Sequence, residues 1–189
     1  MRVIAGTARG TKLECPPGDE VRPTPDMARQ ALFNILQEVV SGATVLDIFA
    51  GVGTVGIEAL SRGAARCVFV ERSPKHAKFL KRNLERTHFT GRADLLVRDA
   101  LRCTEGIAGM GHSFDIVFAG PPFPLLREPA GRVALLALLD ELADRRLLKP
   151  GCVVILQHDA RDPIPESTAR LRGTDRRRYG RNVFTLYEA

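Results

Sequence analysis

The chain has 189 residues, a length that favours one domain over separate cofactor and substrate domains. Hydrophobic residues make up 44% and charged residues 26%, ordinary globular usage, which excludes disordered, collagen-like and low-complexity chains. A formal net charge of +6 points toward a polyanionic partner. No run reaches the roughly 18 to 20 apolar residues of a membrane span, and residues 1–10 lack a signal-peptide core. A cytoplasmic, membrane-free protein is therefore expected.

Two short strands, residues 2–5 and 11–14, are predicted around a turn containing Gly6 and Gly10 and read as a hairpin extension over residues 1–24. Thr24 and Pro25 give an N-cap hydroxyl and a proline at the first helical position. The spacing of Met27, Ala28, Ala31, Leu32, Ile35, Leu36 and Val39 predicts a helix over 25–42 with these residues on one face. From residue 43 the pattern alternates. Strands are expected at 44–49, 67–70, 94–97, 114–119 and 152–157. Between them fall a short helix through Ile57 and Leu60, a basic helix after Ser73 and Pro74, and a leucine-rich helix over 132–147. Residues 170–172 and 183–187, around Gly180, are expected to form a last hairpin. Strands alternating with helices imply an α/β fold, a mostly parallel sheet with helices on both faces, spanning residues 43–189 of a single domain.

Cys15, Cys67, Cys103 and Cys152 are far apart, and neither they nor His76, His88, His112 and His158 have zinc-ligand spacing. Reduced, partly buried thiols and structural or surface imidazoles are expected, and no metal.

The sharpest motif is DIFAGVGTVG, where the first core strand turns into a helix. Glycines there permit a tight turn and close backbone approach of a ligand beyond the carboxyl ends of the strands. Glu71 ends the next strand, placed for a ribose diol. Gly51, Gly53 and Gly56 also spell a dinucleotide fingerprint with Glu71 as its acid. Charge separates the two readings. A pyrophosphate at the helix N-terminus would be opposed by Asp47. The cationic methionine end of S-adenosyl-L-methionine (AdoMet) would be attracted by it, directly or through water. Asp99 ends the third strand and reaches toward an adenine amino group, with Ala100 supplying a backbone amide. A plain glycine turn flanked by surface acids is the alternative reading.

The fourth strand ends in Gly120-Pro121-Pro122-Phe123. Consecutive prolines stiffen the backbone and leave the preceding carbonyls free, and Phe123 offers a flat face to a base. Read alone, this is also a plain loop with a buried aromatic.

Taken together, MRVIAGTARGTKL, RPTPDMARQALFNIL, LDIFAGVGTVGIEALSRGA, FVERS, RDALR and FDIVFAGPPF resemble the RsmD family of bacterial small-subunit ribosomal RNA methyltransferases, in order and over nearly the whole chain. The resemblance implies a Rossmann-like methyltransferase fold with a seven-stranded sheet and an N-terminal β-hairpin. It also implies AdoMet as cofactor and methylation of a guanine N2 in 16S rRNA, within an assembled or assembling small subunit. Asp47, Phe49, Gly51 and Gly53 would border the methionine part, Glu71 and Arg72 the ribose, Asp99 and Ala100 the adenine. Gly120, Pro121, Pro122 and Phe123 would form the catalytic strand end. Arg22, Thr24, Asp26, Arg29 and Asn34 match a family segment close to the active-site side.

One position departs from the pattern: the family reads Asp-Pro-Pro-Phe or Asp-Pro-Pro-Tyr where this chain has Gly120. A weakened enzyme, another acceptor, and a residue altered from the natural one are the three accounts, and Gly120→Asp is expected to raise transfer. Arg2, Arg9 and Lys12, with Arg22, Thr24 and Arg29, and Arg176, Arg177 and Arg178 in the basic C-terminal segment, are the expected RNA contacts. A monomer is expected. Three other functions compete: methylation of another amine such as adenine N6 in DNA or RNA, RNA binding with weak catalysis, and nicotinamide-dependent oxidoreduction.

Overall fold

The computed structural model describes residues 1–17 and 26–189. The chain order is α1 (Asp26–Ile35), β1 (Thr44–Ile48), α2 (Thr54–Ser61), β2 (Arg66–Val70), α3 (Pro74–Arg86), β3 (Ala93–Leu96), α4 (Thr104–Ala108), β4 (Phe114–Ala119), α5 (Phe123–Arg127), α6 (Pro129–Asp144), β5 (Leu148–Asp159), β6 (Arg172–Tyr179) and β7 (Asn182–Glu188). The strands form one seven-stranded sheet in the order β3-β2-β1-β4-β5-β7-β6. The first five pair in parallel, and β7 runs antiparallel to both β5 and β6.

Because side chains alternate along a strand, each buried strand feeds two cores. Val45, Phe69, Ile116, Phe118, Ile155 and Phe184 meet Leu32 and Phe33 of α1, Ile57 of α2 and Leu80 of α3 on one face. Leu46, Val70, Val117, Leu156 and Tyr187 meet Ile107 of α4, Leu126 of α5 and Leu135, Leu138 and Leu139 of α6 on the other. Full burial of such side chains contributes about 1.5–3 kcal/mol each, so the two faces rather than local propensity hold the layers together. Among the described residues, no helix is long and apolar enough to cross a membrane.

Local signals place several ends. The Ser73 hydroxyl accepts the His76 amide at 3.3 Å, with Pro74 at the first helical position, so α3 starts where the sequence predicts. Gly180, at φ 63, turns the C-terminal hairpin. The strand before it is much longer than residues 170–172, because β6 is a polar edge strand whose arginines carry no apolar alternation to read.

The helix expected over 25–42 ends at Ile35. Met27 is 83% exposed and Val39 43%, so the proposed one-sided stripe does not exist as such. Leu36 and Val40 reach the core from a turn instead, since Val39, Val40, Ser41 and Gly42 are poor helix formers. The predicted cap, Thr24 with Pro25, lies outside the described residues.

The N-terminal segment folds back as a hairpin, but its ladder is a single Arg2↔Lys12 bridge. The Val3 and Leu13 amides donate across it to the Thr11 and Met1 carbonyls, and other donors go to α2. The amides of Ile4 and Ala5 donate to the Glu58 carboxylate at 2.8 and 3.0 Å, the Thr7 amide to the Ser61 carbonyl, and the Ala8 amide to the Ser61 hydroxyl. Helix α2 thus takes up amides that the hairpin itself leaves unpaired.

The same Glu58, fully buried, pairs with Arg62 at 2.7 Å and lies 3.8 Å from the Arg29 guanidinium. Arg29 is fully buried as well, which corrects its assignment as an RNA contact. It donates to the Arg2 carbonyl and to Asp26, while its Nε and Nη1 have no hydrogen-bond partner among the described residues. Burial pulls its pKa down; Asp26 and Glu58 push it back up. Removing one member of such a group leaves an uncompensated charge. Glu58→Ala is expected to lower stability by about 3–5 kcal/mol, and adding Arg29→Met should recover only part, because the Ile4 and Ala5 amides stay unpaired. Thermal denaturation of both variants measures this; a loss as small as that of an exposed ion pair would contradict it.

Candidate active site

The strand order reverses beside β1, with β2 on one side and β4 on the other, and open α/β sheets bind ligands at such a crevice. The glycine corner, residues 49–53, and Gly120 stand on its two banks. The Gly120 amide donates to the Ile48 carbonyl at 3.2 Å and the Ala50 amide to the Val70 carbonyl at 2.9 Å, so the ends of β4, β1 and β2 are laced together.

The corner uses left-handed backbone at Phe49 (φ 66), Gly51 (φ 58) and Gly53 (φ 86). Phe49 accepts this conformation, uncommon outside glycine, while packing against the α6-side core. Gly56 answers a different need. A Cβ there would fall 2.2 Å from Phe69 Cε1 and 2.6 Å from Cys67 Sγ, so only glycine lets α2 press on β2.

Two carboxylates fix the corner. Asp47, 1% exposed, accepts the Gly56 amide at 2.9 Å. Glu71, 7% exposed, accepts the Gly51 amide at 2.8 Å and the Ser73 amide at 2.7 Å, with His76 Nδ1 3.6 Å away. Burial pushes the Asp47 carboxyl up to about 7; the Gly56 amide opposes this and the neighbouring charge of Glu71 adds to it. A site whose acids repel each other in this way disfavours a further anion and favours a cation. Twin phosphates do not suit it.

Asp99 is exposed at the end of β3, where its side chain caps a short 3-10 turn by accepting the Leu101 amide at 3.0 Å, and Ala100 behind it is buried. Arg72 is exposed beside Glu71. Asp47, Glu71, Asp99 and Gly120 therefore stand at the carboxyl ends of β1, β2, β3 and β4, neighbours across one edge of the sheet. Pro121 is buried, Pro122 exposed, and Phe123 half-buried at the first position of α5 rather than in a loop.

Position 120 is crowded. A Cβ on Gly120 would lie 2.8 Å from Phe118 Cε1 and 3.6 Å from Gln157 Oε1. An aspartate there needs the Phe118 ring to move, so Gly120→Asp is not a simple addition of a carboxylate.

The expected RNA contacts separate. Arg2, Arg9 and Lys12 are on the N-terminal hairpin, Arg2 and Arg9 exposed and Lys12 bridged through its backbone to Arg2. Arg177 aligns with Phe184 and so shares the sheet face of Asp47 and Gly120, whereas Arg176, aligned with Thr185, and Arg178 lie on the other. Arg176 donates to Thr185 and the Ile164 carbonyl, Arg177 to Asp175, and Arg178 to the Gly180 carbonyl. Arg22 and Thr24 lie outside the described residues.

Three residues that the sequence reading left unremarked organise the site. Glu58 seats the hairpin; Asn83 donates to the Val52 carbonyl of the corner and exchanges hydrogen bonds with the Glu14 backbone; Gln157 borders Gly120. A polar residue amid the apolar spacing of α2 and α3 was the available signal for the first two.

The model of the family described as Conserved hypothetical protein 95 matches residues 1–188. The "Ribosomal RNA small subunit methyltransferase D" of Escherichia coli strain K12 is 31% identical over 188 residues, covering 100% of this chain and 89% of that relative. A hypothetical protein from Thermus thermophilus superposes with a TM-score of 0.80 at 32% identity, covering 100% of this chain and 99% of that one. The RNA methyltransferase of Salinibacter ruber in complex with S-adenosyl-L-homocysteine, 18% identical with a TM-score of 0.60 over 88% of this chain and 93% of that one, shares the fold. A match over essentially every residue, with the glycine corner and the strand-end acids in sequence order, places the chain in the Conserved hypothetical protein 95 family, the RsmD family.

Proposed function

We propose that this protein transfers a methyl group from AdoMet to the exocyclic N2 of a guanine in small-subunit (16S) ribosomal RNA, within an assembled or assembling small subunit. The observation that carries the reading is the row of acids at consecutive strand ends, with Asp47 buried under the glycine corner. The likeness to ribosomal RNA small subunit methyltransferase D supports the substrate class.

In this reading Asp47, Phe49, Gly51 and Gly53 border the methionine end, Glu71 and Arg72 the ribose, and Asp99 and Ala100 the adenine. AdoMet, when bound, supplies a methyl group made electrophilic by its sulfonium. The protein's contribution is alignment. Gly120, Pro121 and Pro122 form a stiff strand end that presents carbonyls to the target amine, and Phe123 stacks on the base drawn out of the RNA. Arg2, Arg9, Lys12 and Arg176 to Arg178 approach phosphates, and the family segment assigns Arg22 and Thr24 to the same task; Arg29 has no part in this contact.

Incubation with methyl-labelled AdoMet and small subunits lacking the modification, followed by nucleoside analysis, tests the reading. The expected product is N2-methylguanosine. Label in N6-methyladenosine would favour the adenine alternative, and salt-sensitive RNA binding without label would favour the RNA-binding alternative that Gly120 suggests.

Asp47 also gives a pH signature. A cation beside it stabilises the ionised form, so binding lowers its pKa from about 7 and expels a proton. AdoMet affinity should therefore fall as pH drops below about 7 and level off above it. Asp47→Asn should weaken binding and flatten the profile. Calorimetric titration across pH measures both; equal steepness in the variant would reject this role for Asp47.

A further inference from the structure

Gly120 has no side chain that could accept a hydrogen bond at the end of β4, and the adjacent strand carries one beside it. Ala119 of β4 aligns with Leu156 of β5, so Gly120 and Gln157 are side by side, one residue further along parallel strands. Both point to the face that carries Asp47 and Phe118, because alternate residues of β4 and β5 line the α1-to-α3 core. Gln157 Oε1 lies 3.6 Å from where a Cβ on Gly120 would stand, at the edge of the space an aspartate side chain would fill. The Gln157 side chain is nearly buried, and its Nε2 donates to Asn182 Oδ1 at 2.8 Å, which turns the amide oxygen toward position 120.

We propose that Gln157 Oε1 is the side-chain acceptor for the target amine in this protein. The proposal rests on the methyltransferase reading above. An amide oxygen accepts an amine N–H as a carboxylate does and holds the nitrogen with its lone pair aimed along the line of transfer. It differs in two respects. It carries no charge, so it adds nothing to the repulsion already raising the Asp47 pKa, and it is too weak a base to remove a proton. The nitrogen lone pair forms the N–CH3 bond while the C–S bond breaks, its electron pair staying on sulfur. The proton then leaves the cationic methylated amine for water. Gln157 acts by orientation alone.

The test compares wild type, Gln157→Leu and Gln157→Glu in labelled transfer to small subunits lacking the modification, with calorimetric binding of S-adenosyl-L-homocysteine as the check on folding. Gln157→Leu should bind this thioether as wild type does and lose on the order of 10²-fold in turnover, the scale of removing one oriented hydrogen-bonding group. Gln157→Glu should restore turnover in a pH-dependent manner, rising as the new carboxyl ionises, where wild type shows no titration from this position. Wild-type turnover in Gln157→Leu, or a Gln157→Glu profile that tracks wild type at every pH, would overturn the assignment of Gln157 and leave the methyltransferase reading intact. Absence of label with wild type itself would overturn both. Should Gln157→Leu fail to bind the thioether, the Gln157→Glu profile decides alone.

Discussion

Two carboxylates bonded to backbone amides hold the sharpest corner of the chain, and the surrounding structure is positioned from it. Asp47 receives the Gly56 amide and Glu71 the Gly51 amide, so neither end of the turn between β1 and α2 can open without unpairing a buried or nearly buried acid. Leaving such a group unsatisfied costs more than the bond itself contributes, which makes the constraint strong. Once α2 is seated, with Gly56 against Phe69 and Cys67, Glu58 and Ser61 are presented to the N-terminal hairpin and take up its amides. Asn83 closes the circuit by joining the corner to Glu14.

The same corner is electrostatically costly. Burial and Glu71 both oppose ionisation of Asp47, and the Gly56 amide supports it. A protein that tolerates this at the crevice of its sheet keeps a preorganised preference for positive charge there, in keeping with a sulfonium donor and against a dinucleotide. The neighbouring strand end carries no acid: Gly120 has no side chain, Phe118 crowds the position, and Gln157 borders it with a neutral oxygen.

Basic charge is less concentrated than its sequence suggests. Arg176 and Arg178 lie on the opposite sheet face from Arg177, and all three already have hydrogen-bonding partners within the chain. Phosphate contact from this edge would exchange the Asp175 and Gly180 partners of Arg177 and Arg178 for RNA, in the manner of salt-dependent, sequence-independent attraction, whereas the Thr185 and Ile164 partners of Arg176 are buried. In the proposed function, reading of the base falls instead to the stiff strand end and Phe123.

Much of this was determined by sequence alone. The alternation of apolar strands with amphipathic helices, the Ser73-Pro74 cap and the acids at strand ends are local patterns, and local sterics and burial periodicity suffice to set them. The seven-stranded sheet and the glycine corner follow from these patterns and from the family resemblance. Only the tertiary structure decided that Arg29 is buried with Glu58, that the first hairpin gives the Ile4 and Ala5 amides to α2, and that Gln157 stands beside Gly120. Each of these depends on which distant segments meet and in what register. Backbone donors and buried charges take whichever partner packing brings within reach, and no short-range pattern encodes that choice.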